Sequence, residues 1–255
     1  MTTPIATRGG HRLSFLKQLT NFTNTNAGIE KILRLLQALA QIFASLAIES
    51  SPIALQSSIA RTQLATGRRY LRFFKFIEHF DRAFTLLAPP LNASGAGSTA
   101  TTNKSVIFTS IEFGKWSCLG LYFLLEDLTI MDAMGIWGTT WGRDILIEAN
   151  RFWFYSLILS LCCSLWTLSP RSNISNRRSS SDHSTTEKTQ QPDEKEKQPS
   201  SAPVVKQIVV DSFDLLIPGA FVGWIAASPV QVGLATIIST VVTSRDIWIQ
   251  AQPAA

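Results

Sequence analysis

Residues 61–84, RTQLATGRRYLRFFKFIEHFDRAF, form the stretch from which the rest of this 255-residue chain is best interpreted. Drawn as a helix with 100° per residue, it has cations on one side and mostly aromatic residues on the other. Such a helix suits the boundary between lipid headgroups and acyl chains. We therefore predict that it binds a membrane through a basic face (Arg61, Arg68, Arg69, Arg72, Lys75 and Arg82) and an apolar face (Tyr70, Phe73, Phe74, Ile77, Phe80 and Phe84).

An amphipathic helix of this kind also fits one wall of a soluble bundle, where its apolar face forms the core. Two details favour the membrane. The basic stripe contains almost no acid, since Glu78 and Asp81 lie towards its flank and the apolar side. The apolar face is rich in Phe, whereas bundle cores favour aliphatic residues. Anionic lipids are the expected partners.

The composition supports the same interpretation. Charged residues make up 16% of the chain, well below the roughly 25% of a soluble domain, and the mean hydropathy is +0.15. The net charge of +5 suits anionic lipid or nucleic acid. No nucleic-acid-binding motif is recognisable, and aromatic and aliphatic residues crowd beside the cations, so we expect no nucleic-acid partner.

Shifts in composition divide the chain into six regions, each with its own predicted character. The first three are a flexible basic arm (1–25), an amphipathic helical region (26–88) and a linker (89–104). The others are a helical region that ends in a transmembrane helix (105–169), a disordered linker (170–203) and a C-terminal apolar membrane segment (204–250). Within the second region, one helix is expected over about 27–49 and another over about 52–87, which Pro52 opens and Pro89 ends.

Two apolar stretches are candidate membrane spans. Residues 152–169 contain no charge and reach the lower length limit for a transmembrane helix, although a buried core helix is the alternative. Residues 215–244 also lack charge, and Pro218 and Pro229 allow either one tilted or kinked span or a re-entrant pair. The predicted fold is all-α and membrane-associated, with amphipathic N-terminal helices and one or two C-terminal transmembrane segments.

The sequence carries no recognisable catalytic motif, and we predict that the chain is not an enzyme and uses no cofactor. Its three cysteines and three histidines have no metal-ligand spacing, so no metal site is expected. Glu126 and Asp127 form a lone acidic pair without a nearby histidine. Trp137 and Trp141 lie in a glycine-rich loop over 135–142, and they fit either a membrane interface or core anchors.

Five short motifs, taken in order, point to a family. They are AGIEK at 27–31, GRRYLRF at 67–73, Glu126-Asp127 before a tryptophan-containing loop, NRFW at 150–153 and DSFDL at 211–215. Over most of residues 26–250 the chain resembles the peroxin-eleven family of peroxisomal membrane elongation and proliferation proteins. The resemblance implies a helical peroxisomal membrane protein whose amphipathic helix, here residues 61–84, inserts into one leaflet and promotes elongation before fission. It also implies homo-oligomers and contact with the fission machinery.

The sequence also fits other locations and other classes of function. Residues 1–29 carry no acid, which weakly resembles a mitochondrial presequence and makes the mitochondrial inner membrane the alternative location. A membrane channel or carrier for small metabolites would have the same spans. A soluble helical adaptor would use residues 61–84 as core.

Overall fold

The computed structural model describes residues 14–48, 51–87, 99–169 and 201–252. Within these ranges the chain is helical without strands, which confirms the predicted all-α fold. The helices are α1 (Phe15–Thr23), α2 (Asn26–Leu46), α3 (Pro52–Leu71), α4 (Lys75–Leu87), α5 (Thr99–Leu128), α6 (Ile130–Ala133), α7 (Gly142–Leu168), α8 (Ala202–Val222) and α9 (Pro229–Ala251).

Capping residues fix where three of the helices begin. The hydroxyl oxygens of Thr25, Ser51 and Ser228 accept hydrogen bonds from backbone N–H groups in the first turns of α2, α3 and α9. Pro52 and Pro229 follow at the start of α3 and α9, where an N–H group would have no intrahelical partner. The local sequence is therefore sufficient to set these three boundaries.

The helices pack against one another in the order α3, α2, α9, α8, α7, α5 and α4. The two ends of this series, α3 and α4, are consecutive in the chain. A small aromatic core lies where α4, α5 and α7 meet: Tyr122, Phe123 and Ala149 are buried, and Phe76 and Trp153 pack against them. Helix α1 is not part of this series. It lies against the end of α9, where the rings of Phe22 and Trp248 are 5.3 Å apart.

Several predicted boundaries differ from the structure. Residues 15–23 of the predicted arm form α1, and residues 99–104 of the predicted first linker belong to α5. Residues 88–98 and 170–200, which hold most of the two predicted linkers, lie outside the described residues. The predicted single helix over 52–87 is wrong, because α3 ends at Leu71 and α4 begins only at Lys75.

Two of the described helices, α7 and α9, are long and apolar enough to cross a membrane by length and composition. The predicted span at 152–169 lies almost entirely within α7. The stretch 215–244 is not one continuous helical span, because it is divided between α8 and α9, which a turn at 223–228 joins. The alternative of a re-entrant pair stays a prediction. Gly223 makes that turn possible with a φ of 84°, a conformation that suits glycine.

Candidate membrane-binding site

The α3–α4 junction bends at Phe74, whose φ of 66° lies in the left-handed region. This conformation disfavours residues other than glycine by about 1–2 kcal/mol, so the surroundings must hold it in place. The backbone N–H of Phe74 donates a hydrogen bond of 3.0 Å to Oδ2 of Asp127, at the end of α5. Residues 61–84 are therefore divided between two helices, with a break at residues 72–74.

Glu126, the neighbour of Asp127, binds two of the predicted basic-face residues. Its Oε1 lies 2.9 Å from Nη2 of Arg72 and 3.5 Å from Nε of Arg69. Arg69 also donates to the backbone oxygen of Glu126, at 2.8 Å, and to the hydroxyl of Thr129. Burial alone would lower the pKa of Arg72, but Glu126 raises it above its ordinary value. These contacts fasten the end of α3 to the end of α5.

Arg68 makes a similar contact between α3 and α2. Its Nε donates to Glu30 at 2.9 Å, and its Nη1 donates to Gln37 at 2.7 Å. Burial raises the pKa of Glu30, but Arg68 together with Lys31 and other cations outweighs burial and brings that pKa down to about 2. Glu30 is therefore ionised at neutral pH, and this ion pair joins the two amphipathic helices.

The other predicted basic-face residues form no ion pair with another helix among the described residues. Arg61 is exposed and Lys75 is half-buried, and neither forms an ion pair with any residue in the described ranges. Arg82 pairs with Glu78 at 2.7 Å on the surface of α4. Its guanidinium also lies over the ring of Trp116 on α5, 4.8 Å from the centroid. The predicted basic face thus separates into three cations that pair with acids on other helices and three that do not, and its binding to lipid stays a prediction.

The predicted apolar face also separates into two sets. Phe80 packs inwards, against the backbone of Gly120 on α5, where an added Cβ would lie 2.8 Å from its ring. The other five side chains are 40–65% exposed, and we call them the junction surface: Tyr70, Phe73, Phe74, Ile77 and Phe84. The rings of Phe73 and Phe74 lie 4.2 Å apart in a T-shaped arrangement.

His79 lies on the inward side of α4, although it shares one side of the helical wheel with Lys75 and Arg82. Its ring stacks between those of Trp116 and Phe123, at centroid distances of 5.6 and 5.0 Å. Burial lowers its pKa to about 4, and Lys75 and Arg82 act in the same direction against the opposing effect of Glu78. His79 is therefore neutral at physiological pH and adds no positive charge to the surface.

We expect the stability of the fold to fall as the pH drops from about 6.5 towards about 4, because protonated His79 is disfavoured only in the folded chain. The unfolded chain binds a proton on this side chain near pH 6.5, so acidification favours unfolding over that window. A His79→Phe variant keeps the aromatic stack and removes the titration. Thermal unfolding in detergent at pH 7.5 and pH 5 should show a smaller pH dependence for the variant. An equal dependence in both proteins would contradict this role.

A family model for Peroxisomal biogenesis factor 11 (PEX11) matches residues 16–248. The chain belongs to the PEX11 family. Over 150 residues it is 25% identical to Peroxisomal membrane protein PMP27 of Saccharomyces cerevisiae, an alignment that covers 58% of this chain and 57% of PMP27. No solved structure matches the chain.

Membership of the PEX11 family decides between several predictions. It confirms the resemblance and the predicted peroxisomal membrane, in place of the mitochondrial inner membrane. The soluble adaptor is wrong for the same reason. The family is one of peroxisomal biogenesis factors, which agrees with the predicted class of function.

Two polar contacts of this PEX11-family chain were not predicted. One is the set of contacts that Glu126 and Asp127 make with the α3–α4 junction. The other is the ion pair of 2.5 Å between Arg34 of α2 and Asp214 of α8. Arg34 also donates to the hydroxyl of Ser239 on α9 at 3.3 Å. A carboxylate in an apolar segment signals a buried cationic partner, but the sequence alone does not say which arginine, 180 residues away, supplies it.

The tryptophans of the loop before α7 are not core anchors in this PEX11-family chain. Trp137 and Trp141 are both exposed, and the loop is held instead by Asp132, whose carboxylate accepts the N–H of Thr139 at 2.9 Å. Among the described residues, no group of His, Cys, Asp and Glu is placed to hold a metal ion. The apolar junction surface is thus the strongest candidate for a functional site.

Proposed function

We propose that this chain curves and elongates the peroxisomal membrane by inserting the junction surface into one leaflet, and so promotes proliferation and fission of the organelle. One observation carries the proposal. Helix α4 already packs Phe76, Phe80 and Ala83 towards α5, yet it leaves Ile77 and Phe84 more than half exposed on another side. Folding therefore satisfies one apolar face of the helix, and the second needs another apolar partner.

A bilayer supplies that partner. Full burial of a large apolar side chain contributes about 1.5–3 kcal/mol, so a few members of the junction surface are enough to hold α4 in the interface. Side chains inserted into one leaflet add area there and not in the opposite leaflet, which favours positive curvature. The candidate spans α7 and α9 keep the junction surface at a high local concentration beside its membrane.

The proposed partners are anionic membrane lipids and further copies of this chain, and the fission machinery would act on the elongated membrane. No catalytic step and no cofactor is part of the proposal.

A metabolite channel remains the competing function, although no feature of the described residues favours it. Reconstitution of the full chain into dye-loaded anionic vesicles distinguishes the two. Tubules that retain dye support membrane shaping, whereas round vesicles that leak would overturn it.

Arg61 and Lys75, the two basic-face cations without an ion pair among the described residues, give the proposal an electrostatic prediction. Arg61→Gln together with Lys75→Gln should weaken binding to anionic vesicles about 30-fold, because each cation near such a surface contributes about 1 kcal/mol. Folding should not change, since neither side chain has an ion pair to lose among the described residues. Vesicle co-sedimentation measures the effect, which should disappear in 1 M salt. Equal binding of both proteins at low salt would exclude a role for these two cations.

A further inference from the structure

The two acidic residues at the end of α5 hold the α3–α4 junction from both of its sides. Glu126 binds Arg69 and Arg72, which precede the bend. Asp127 accepts the N–H of Phe74, the residue that makes the bend. This contact comes from a residue 53 positions further along the chain. The shape of the junction is thus set by α5 and not by its own local sequence.

The local sequence favours a different shape. Residues 61–84 contain no proline, their apolar residues recur at helical spacing, and Gly67 lies seven positions before the bend. In an uninterrupted helix the N–H of Phe74 would donate to the carbonyl of Tyr70. In the structure, the carbonyl of Tyr70 accepts the N–H of Phe73 at 3.3 Å instead, and the N–H of Phe74 is directed to Asp127.

We propose that Asp127 is the positioning residue of the junction surface: by accepting the N–H of Phe74 it fixes the bend that presents Phe73 and Phe74 together to the membrane. This proposal rests on the proposed function. Asp127 acts through Phe74 and touches no lipid itself. When this bond is lost, the left-handed conformation of Phe74 no longer has the hydrogen bond that compensates its cost, while α4 stays packed on α5. The backbone at Phe73 and Phe74 then relaxes towards helical angles, which place successive side chains about 100° apart, and the ring pair separates.

The choice of substitution separates positioning from a general effect on folding. Asp127→Asn keeps an oxygen that can accept the same N–H, whereas Asp127→Ala removes the acceptor. Asp127 is only half-buried, so neither change leaves a large cavity. Asp127→Ser is a second variant without the necessary reach, for use if the alanine protein does not accumulate.

The experiment uses the full chain with Asp81→Cys as the only cysteine, after Cys118, Cys162 and Cys163 are changed to Ala, so that all five side chains of the junction surface are kept. Position 81 is exposed on α4, one turn after Ile77, and an environment-sensitive fluorophore there reports transfer into lipid when anionic vesicles are added. We expect the parent and the Asp127→Asn protein to give the same increase in emission. The increase in the Asp127→Ala protein should be at least five-fold smaller. Thermal unfolding and carbonate-resistant anchoring, measured in parallel, should stay close to those of the parent.

Each outcome bears on one of the two proposals. A parent protein without any response to vesicles would contradict the proposed function itself. A responding parent with an equally responsive Asp127→Ala or Asp127→Ser protein would leave that function standing and overturn the role of Asp127. Loss of the response in Asp127→Asn as well would also overturn it, because the N–H acceptor is still present in that variant.

Discussion

Changing Ile77 and Phe84 to Asp should abolish membrane tubulation and leave the amount of folded protein unchanged. Both side chains are more than half exposed in the fold, 57% and 65% respectively, so their replacement removes few packing contacts. At the membrane, each loses about 1.5–3 kcal/mol of burial, and each new carboxylate adds a cost of insertion. Vesicle binding through the junction surface should therefore weaken by more than 100-fold, while α7 and α9 still anchor the chain.

Phe80→Asp is the matched control, because it places the same charge on the same helix but towards α5. The ring of Phe80 packs on Gly120, and its loss should destabilise the fold by about 3–5 kcal/mol and lower the abundance of the protein. Abundance, carbonate extraction and tubule length are the measurements. Normal tubules with the Ile77→Asp/Phe84→Asp protein at normal abundance would falsify the insertion of this surface.

The second large effect is expected at Asp214. Asp214→Leu should destabilise the fold by about 3–5 kcal/mol, because it leaves the guanidinium of Arg34 buried without a counter-ion. The loss of stability should be visible as a lower unfolding temperature in detergent and as a lower abundance. Since Arg34 and Asp214 join α2 to α8, separation of the N-terminal helices from the C-terminal pair should precede complete unfolding.

The double variant Arg34→Met/Asp214→Leu tests whether the penalty comes from the unpaired charge. Replacement of a buried ion pair by apolar residues of similar volume is often neutral or stabilising. The double variant should therefore recover most of the stability that Asp214→Leu alone loses. A double variant as unstable as the single one would show that Asp214 matters through contacts other than its ion pair with Arg34.

Local sequence predicts several helix boundaries of this chain, because the interactions that decide them are local. Capping by Ser51 and the position of Pro52 set the start of α3, and the charge-free run over 152–169 lies almost entirely within α7. The same approach assigns Ile77 and Phe84 to an apolar face that the fold leaves exposed. Family-level features, including the peroxisomal membrane, follow from the order of five short motifs.

The bend and the division of the basic face could not be predicted, because distant residues decide both. A helical wheel assumes that residues 61–84 are one helix, and only Asp127, on α5, directs Phe74 into another conformation. The same wheel counts Arg68, Arg69 and Arg72 as surface charges. Their partners, Glu30 and Glu126, lie on other helices, and pairing across helices leaves no periodic signal in the sequence.

The contact between Arg34 and Asp214 has a consequence for the biosynthesis of the chain. Arg34 leaves the ribosome 180 residues before its partner, which corresponds to about 10–40 s at ordinary rates of synthesis. Trp248, which packs against Phe22, emerges later still. The first helices therefore cannot reach their final positions until Trp248 has left the ribosome, and the N-terminal helices spend that interval without the partners that cover their buried faces.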